Sequence, residues 1–422
     1  MDLARTDSSA LVLVVLSVVF AVSACGGASK PPKASKPEER VTSLGSPRKA
    51  AAPSDTDQIE SLLAARAAAL GRGDAQAYAA TATGAQRVRD HRAARRTRGL
   101  GVVRTKFAPS SMTVGRRRAD LRGRSVYGLS GLTGRFSGAR RLVAVKTRTG
   151  WRIARESSRR ERHPWELGRF TRTRSDHFVV LAPAGLALGD LTGTLEAGYG
   201  ALRTALRSGR LRRRYLVVVA GSAAQATRLT RGIRGVKSLA AITDSHVRES
   251  GPALRPDGVV SQRLVIVWPT LRDLDPESRA RIVTHELAHA ALAGVTSGRT
   301  PSWLVEGIAL YASGDRRVAE AASELTGPRP PSLARLEEPD AIARLSGARQ
   351  GESYALASAA AHYLVERFGQ ADLLRLYESF NDETILGNPG ESTTIDRALR
   401  KTLGISLRRL ERDLRRWVLT SA

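Results

Sequence analysis

Cysteine is nearly absent from this 422-residue chain, which has Cys25 and no other. A single thiol excludes an intramolecular disulfide and every cysteine-rich metal site, so stability must come from packed cores. Aromatic residues make up only 5%, too few to supply the stacking platforms of single-strand nucleic-acid binders. No zinc knuckle, aromatic RNA-binding signature or helix-turn-helix pattern is present either, so no specific nucleic-acid role is expected. Acidic residues are scarce too. Forty Asp and Glu face 68 Lys and Arg, giving a formal net charge of +28. That balance predicts attraction to anionic surfaces such as membrane headgroups or wall polymers. The apolar run at residues 10–22, near the N-terminus, is too short to span a bilayer comfortably.

That run fits the core of a secretory signal peptide. It ends in Val22-Ser23-Ala24-Cys25-Gly26, which resembles the bacterial lipobox. The resemblance implies a signal peptide over 1–24, lipidation of Cys25, and an anchor on the extracytoplasmic face of the cell membrane. One departure is that Arg5 is offset by Asp2 and Asp7; an ordinary signal peptide with an incidental cysteine is the alternative. Residues 25–55 are rich in Pro, Ser and Lys and poor in large apolar side chains, the composition of a disordered linker.

Residues 56–160 form the next unit. Ile59, Leu62, Leu63, Ala67 and Leu70, then Ala77, Tyr78 and Ala80, fall at helical spacing. Gly71 and Gly73 interrupt them, which predicts two helices over 58–83. Strand-like stretches follow at 102–107, 125–129, 141–146 and 151–156, with Gly150 in a turn before the last. Helices ahead of a curved antiparallel sheet predict an α+β unit. The pattern is similar to the cone-shaped nuclear-transport-factor-2-like family, which implies a site for a small molecule or a partner. His91 lies in an Arg-rich stretch and reads as solvated surface.

From residue 170 to 422 the pattern alternates. A strand at 177–181 precedes a helix at 190–208, and a strand at 215–220 precedes a helix from Ser222. Two short extended runs follow, at 238–243 and 263–268. Asp275-Pro276-Glu277 then opens a helix that Gly294 ends. This helix contains His285-Glu286-Leu287-Ala288-His289. Positions i and i+4 share a face, so both imidazoles can reach one metal ion, and Glu286 beside them can contact water without being a ligand. A catalytic zinc needs a third protein donor. Glu306 supplies one, in a second helix that Pro301 and Ser302 start: Trp303-Leu304-Val305-Glu306-Gly307-Ile308-Ala309-Leu310-Tyr311.

The paired motifs resemble the gluzincin zinc metallopeptidases. The resemblance implies a zincin-like α/β domain with an active-site helix, Zn²⁺ held by His285, His289 and Glu306, and Glu286 as general base in the hydrolysis of a peptide or protein substrate. It departs from some relatives in having Leu310 where they carry an orienting Asp. The aminopeptidase signature Gly-x-Met-Glu-Asn is absent, which favours an endopeptidase; Met1 and Met112 have other neighbours. Tyr354 is the first candidate for an oxyanion donor and His362 the second, while Tyr311 reads as packing. Residues 239–243 are expected to form the edge strand that pairs with substrate, with 263–268 beside them. Two other readings stay open: a binding lipoprotein with an inactive zinc site, and a protein whose basic surface matters more than its cleft.

Overall fold

The computed structural model describes residues 53–158, 161–206, 211–230, 239–328, 330–387 and 393–421. The signal peptide, Cys25 and nearly all of the expected linker lie outside them. Among the described residues no helix is long and apolar enough to cross a membrane.

Ser54 caps the first helix. Its hydroxyl accepts from the Asp57 N–H, and the Asp57 carboxylate accepts from the Ser54 N–H at 2.9 Å, a reciprocal cap that starts helix α1 (Asp55–Gly71). The last residues of the expected linker are therefore a helix start. Helix α2 (Ala75–Ala80) follows, as does α3 (Gly84–Thr97), a helix that the apolar spacing did not predict. His91 is exposed on it. Four strands come next: β1 (Val102–Val114), β2 (Arg118–Leu129), β3 (Arg135–Thr147) and β4 (Gly150–Ser157). They pair antiparallel in sequence order, and each of the first three is much longer than its apolar stretch.

A short helix, α4 (Pro164–Leu167), leads into a second sheet built from β5 (Phe170–Arg174), β6 (Phe178–Pro183), β7 (Tyr215–Ala220), β8 (Ala241–Ser250) and β9 (Arg255–Val267). Its order is β5-β6-β7-β9-β8. The three central strands are parallel, and β5 and β8 close the two edges antiparallel. Helix α5 (Leu191–Leu206) follows β6, and α6 (Ala223–Leu229) follows β7. Among the described residues the rest is helical: α7 (Trp268–Arg272), α8 (Pro276–Leu292), α9 (Ser302–Ala312), α10 (Val318–Thr326), α11 (Ala341–Arg344), α12 (Ala348–Phe368), α13 (Gln370–Ser379), α14 (Thr394–Leu403) and α15 (Leu407–Ser421). The molecule is α+β, with segregated antiparallel and mixed sheets.

Strand alternation decides what each face of the mixed sheet covers. Val180, Val217, Val219, Leu264 and Ile266 share one core with α5, α8 and α9. Their neighbours Val179, Leu181, Leu216, Val218, Val265 and Val267 share another with Leu100, Tyr127 and Phe136 of the N-terminal unit and with Trp165 of α4. The first unit is thus packed on the back of the sheet whose front supports α8.

The hairpin of β8 and β9 is longer than the two extended runs expected at 238–243 and 263–268. The extra residues are polar yet buried, because they satisfy one another across the ladder. Asp244 stands opposite Arg263 and is bonded to it at 2.9 Å; Ser245 stands opposite Gln262 and is bonded at 3.0 Å.

Candidate metal centre

Helix α8 starts as its sequence dictates. The Asp275 carboxylate accepts from the Ser278 N–H at 2.8 Å, and Pro276 occupies the first turn. From Ile282 onward every residue to Leu292 is buried, because α8 lies between the sheet, α5 and α9. Gly198 on α5 permits this closeness: a Cβ there would stand 3.1 Å from both Thr284 Oγ1 and Val283 Cγ1.

Two side chains fasten α8 to the edge hairpin. Thr243 Oγ1 donates to the Glu286 main-chain carbonyl at 2.7 Å, and Gln262 Nε2 donates to the Ala290 carbonyl at 2.8 Å. The edge strand β8 therefore runs beside the His-Glu-x-x-His turn, with β9 inside it. On the other side, α9 presents Glu306.

His285, His289 and Glu306 converge. The two Nε2 atoms are 3.0 Å apart, and Glu306 Oε2 lies 3.3 Å from His285 Nε2 and 3.5 Å from His289 Nε2. A tetrahedral zinc with ligand bonds near 2.1 Å separates its donors by about 3.4 Å, so this triangle matches one face of that tetrahedron. The set is also buried, with exposures of 2%, 3% and 0%. Apart from the two imidazoles, neither carboxylate oxygen of Glu306 has a hydrogen-bond partner. Three lone-pair donors facing one another in the interior, one of them a carboxylate, are the arrangement a cation relieves. The residues fit zinc.

Burial alone would push the Glu306 carboxyl up, but the charge of His289 and hydrogen bonding with both imidazoles overcome it and hold the carboxyl at about 2. Glu286 behaves oppositely. It is fully buried, and burial lifts it above the usual carboxylate range against the pull of the same histidines and of Thr243. Two adjacent carboxyls thus differ in character: one is suited to stay ionised as a ligand, the other to exchange a proton.

Tyr354 is buried in the second turn of α12. Ala357 and Ala361 of that helix meet Gly307, the neighbour of Glu306, and Tyr354 lies three and seven residues before them, on the same stripe. His362 points elsewhere: its Nδ1 faces the Ser358 carbonyl at 2.9 Å, and its ring packs on Tyr311 with centroids 5.4 Å apart. Three residues near the centre escaped sequence reasoning. Thr243 was only the end of an extended run. Asp340 has a left-handed backbone, φ +59°, and burial, with Glu306 contributing, raises its carboxyl. Tyr377 is buried and shares a 2.6 Å hydrogen bond with Thr296, and the Glu306 charge adds to its raised pKa.

No family model matches the chain, and no curated protein matches it. Similar solved structures include an NTF-2-like protein of unknown function from Shewanella oneidensis, 21% identical, which covers 24% of this chain and 95% of its own with a TM-score of 0.21. Another is a protein of unknown function from Mycobacterium tuberculosis, 22% identical, covering 25% of this chain and 72% of its own with a TM-score of 0.22.

Proposed function

We propose that this chain is a zinc-dependent endopeptidase of the gluzincin kind, anchored through a lipid on Cys25 at the outer face of the cell membrane. The observation that carries the reading is the convergence of His285, His289 and Glu306 beside a buried Glu286 that is not a ligand. The anchor is supported by the lipobox-like residues before Cys25.

Zinc, when bound, supplies a Lewis acid that polarises a carbonyl and makes water acidic near neutral pH. Glu286 takes the proton of the attacking water and returns it to the departing amine; its lifted pKa suits both steps. His285, His289 and Glu306 hold the ion and fix its position relative to Glu286. The edge strand β8, which runs alongside Glu286, is the strand we expect an extended peptide to pair with. Tyr354, on the α9-facing stripe of α12, is the proposed donor to the developing oxyanion.

The burial of the four residues at 0–3% exposure favours a second reading, a binding lipoprotein whose zinc is structural. One experiment separates the two. Glu286→Gln should keep one zinc per chain and lose nearly all hydrolysis of an unfolded protein, while His289→Ala should lose the metal as well. Elemental analysis with peptide-library cleavage reads both. Wild-type protein that binds zinc but cleaves nothing decides for the structural site, and a Glu286→Gln variant as active as wild type overturns the assigned base.

A further inference from the structure

The N-terminal unit holds a cavity of about 470 Å³ between its helices and the concave side of its sheet. That volume accommodates a small organic molecule. Its interior is an ion-pair network closed on itself. Arg66 bonds Asp90 and Glu156, each at 2.6 Å; Arg140 bonds Glu166 at 3.0 Å and Glu156 at 3.3 Å. The carboxylates that line the cavity are thus engaged by buried guanidiniums.

The mouth has the opposite character. Arg89, Arg92 and Arg155 line it and are exposed, and no carboxylate partner for them occurs among the described residues. Arg96 and Arg162 stand beside them, half-buried. Clustered guanidiniums without counter-charges repel one another and present an excess of donors.

The wall adds a second, independent sign. His163 lines the cavity, is 3% exposed, and has an Nε2 without a hydrogen-bond partner. Burial, together with the charges of Arg140, Arg263 and Arg124, keeps its ring neutral, and a neutral imidazole carrying its proton on that nitrogen is a donor that lacks an acceptor. An unsatisfied polar atom inside a folded protein is a standing cost that a ligand can remove. Trp165 and Tyr78, both buried against the same cavity, give it apolar surface.

We propose that this cavity binds a small organic oxyanion, a carboxylate or phosphate on an apolar body, its head held by the mouth arginines and its body laid against Trp165 and Tyr78. Planar guanidiniums recognise both head groups in bidentate fashion, and an acceptor-only head answers the donor excess. The site is separate from the metal centre on the far side of the mixed sheet.

Titration calorimetry on the full-length chain in a neutral detergent, with benzoate, phenyl phosphate and inorganic phosphate as probes, tests this. Saturable one-to-one binding of benzoate or phenyl phosphate is expected, and the stronger of the two identifies the head group. Inorganic phosphate should bind at least tenfold more weakly for want of an apolar body. Arg92→Ser with Arg155→Ser should weaken binding tenfold or more. Arg408→Ser with Arg412→Ser, an equal loss of charge on α15, should leave it within twofold. His163→Phe should weaken it while keeping the ring packing; should that variant not fold, the surface pair decides alone. No saturation by any probe at 10 mM, or an equal loss in the α15 control, overturns the proposal.

Discussion

Gly307 directly follows the third ligand and is the point where α9 meets α12. A Cβ there would come within 2.5 Å of the Ala357 carbonyl oxygen and 3.2 Å of Ala361 Cβ. A backbone oxygen inside a buried helix cannot swing aside, so Gly307→Ala must push the two helices apart. In a helix interior that substitution ordinarily gains about 0.5–1 kcal/mol, whereas overpacking a core costs about 1–3 kcal/mol; here the clash is with backbone, so the cost wins. Glu306 is next in the chain and moves with the helix, which draws its carboxylate away from the two imidazoles. The apo protein should therefore melt several degrees lower, and zinc affinity should fall at least tenfold in a competition with a chelator. Unchanged zinc affinity in a destabilised variant would show that the ligand triangle does not depend on this crossing.

At the scale of elements, legibility in the sequence follows what an element buries. Helix α8 and the HELAH turn were readable because capping chemistry, an apolar stripe and the i, i+4 histidines all agree. Helix α9 was readable through its Trp, Glu, Gly and Tyr spacing. Helix α3 was not. Its buried positions, Gln86, Asp90, Ala94 and Thr97, recur at helical spacing, but only Ala94 is apolar. The partner that justifies them, Arg66, sits on another helix, and a one-dimensional pattern cannot supply it. The same holds for Asp244 and Arg263 in the β8–β9 hairpin, and for Thr243, Asp340 and Tyr377, whose neighbours at the metal centre are distant in sequence. The buried ion pair that hides α3 should also hold it in place. Arg66→Met leaves Asp90 without its cation in the interior, and breaking a buried pair from one side costs about 3–5 kcal/mol. Glu156 keeps Arg140, so the lower end of that range is expected in urea unfolding. Adding Asp90→Leu should recover part of the loss, since the uncompensated carboxylate is then gone. A loss under about 1 kcal/mol for Arg66→Met would mean that water reaches and screens the network.

For the whole molecule the decisive feature is that the mixed sheet has no free face. Its front carries α5 and α8 and so positions the metal centre; its back is covered by α6 and Trp165 and by Leu100, Tyr127 and Phe136 of the N-terminal unit. The N-terminal unit is therefore a structural half of the molecule and more than a spacer between anchor and site. Removing it strips Leu100, Tyr127 and Phe136 from the face formed by Val179, Leu181, Leu216, Val218, Val265 and Val267, and leaves only α6, Trp165 and Phe170 to cover it. Each large apolar side chain contributes about 1.5–3 kcal/mol by burial, so even partial exposure of the six forfeits several kcal/mol, a large share of the stability of an ordinary domain. An exposed apolar sheet face of that extent also promotes association. A fragment that begins at Glu161 should accordingly be aggregated or molten and bind zinc poorly, although it retains every ligand. Co-expressing residues 53–158 as a separate chain should restore solubility, cooperative unfolding and zinc binding, because the lost contacts are noncovalent and can re-form in trans. Size-exclusion chromatography, thermal unfolding and metal analysis read the outcome on one preparation. A soluble, monomeric, cooperatively folded fragment with full zinc content would show that the sheet supports the metal centre from its front alone.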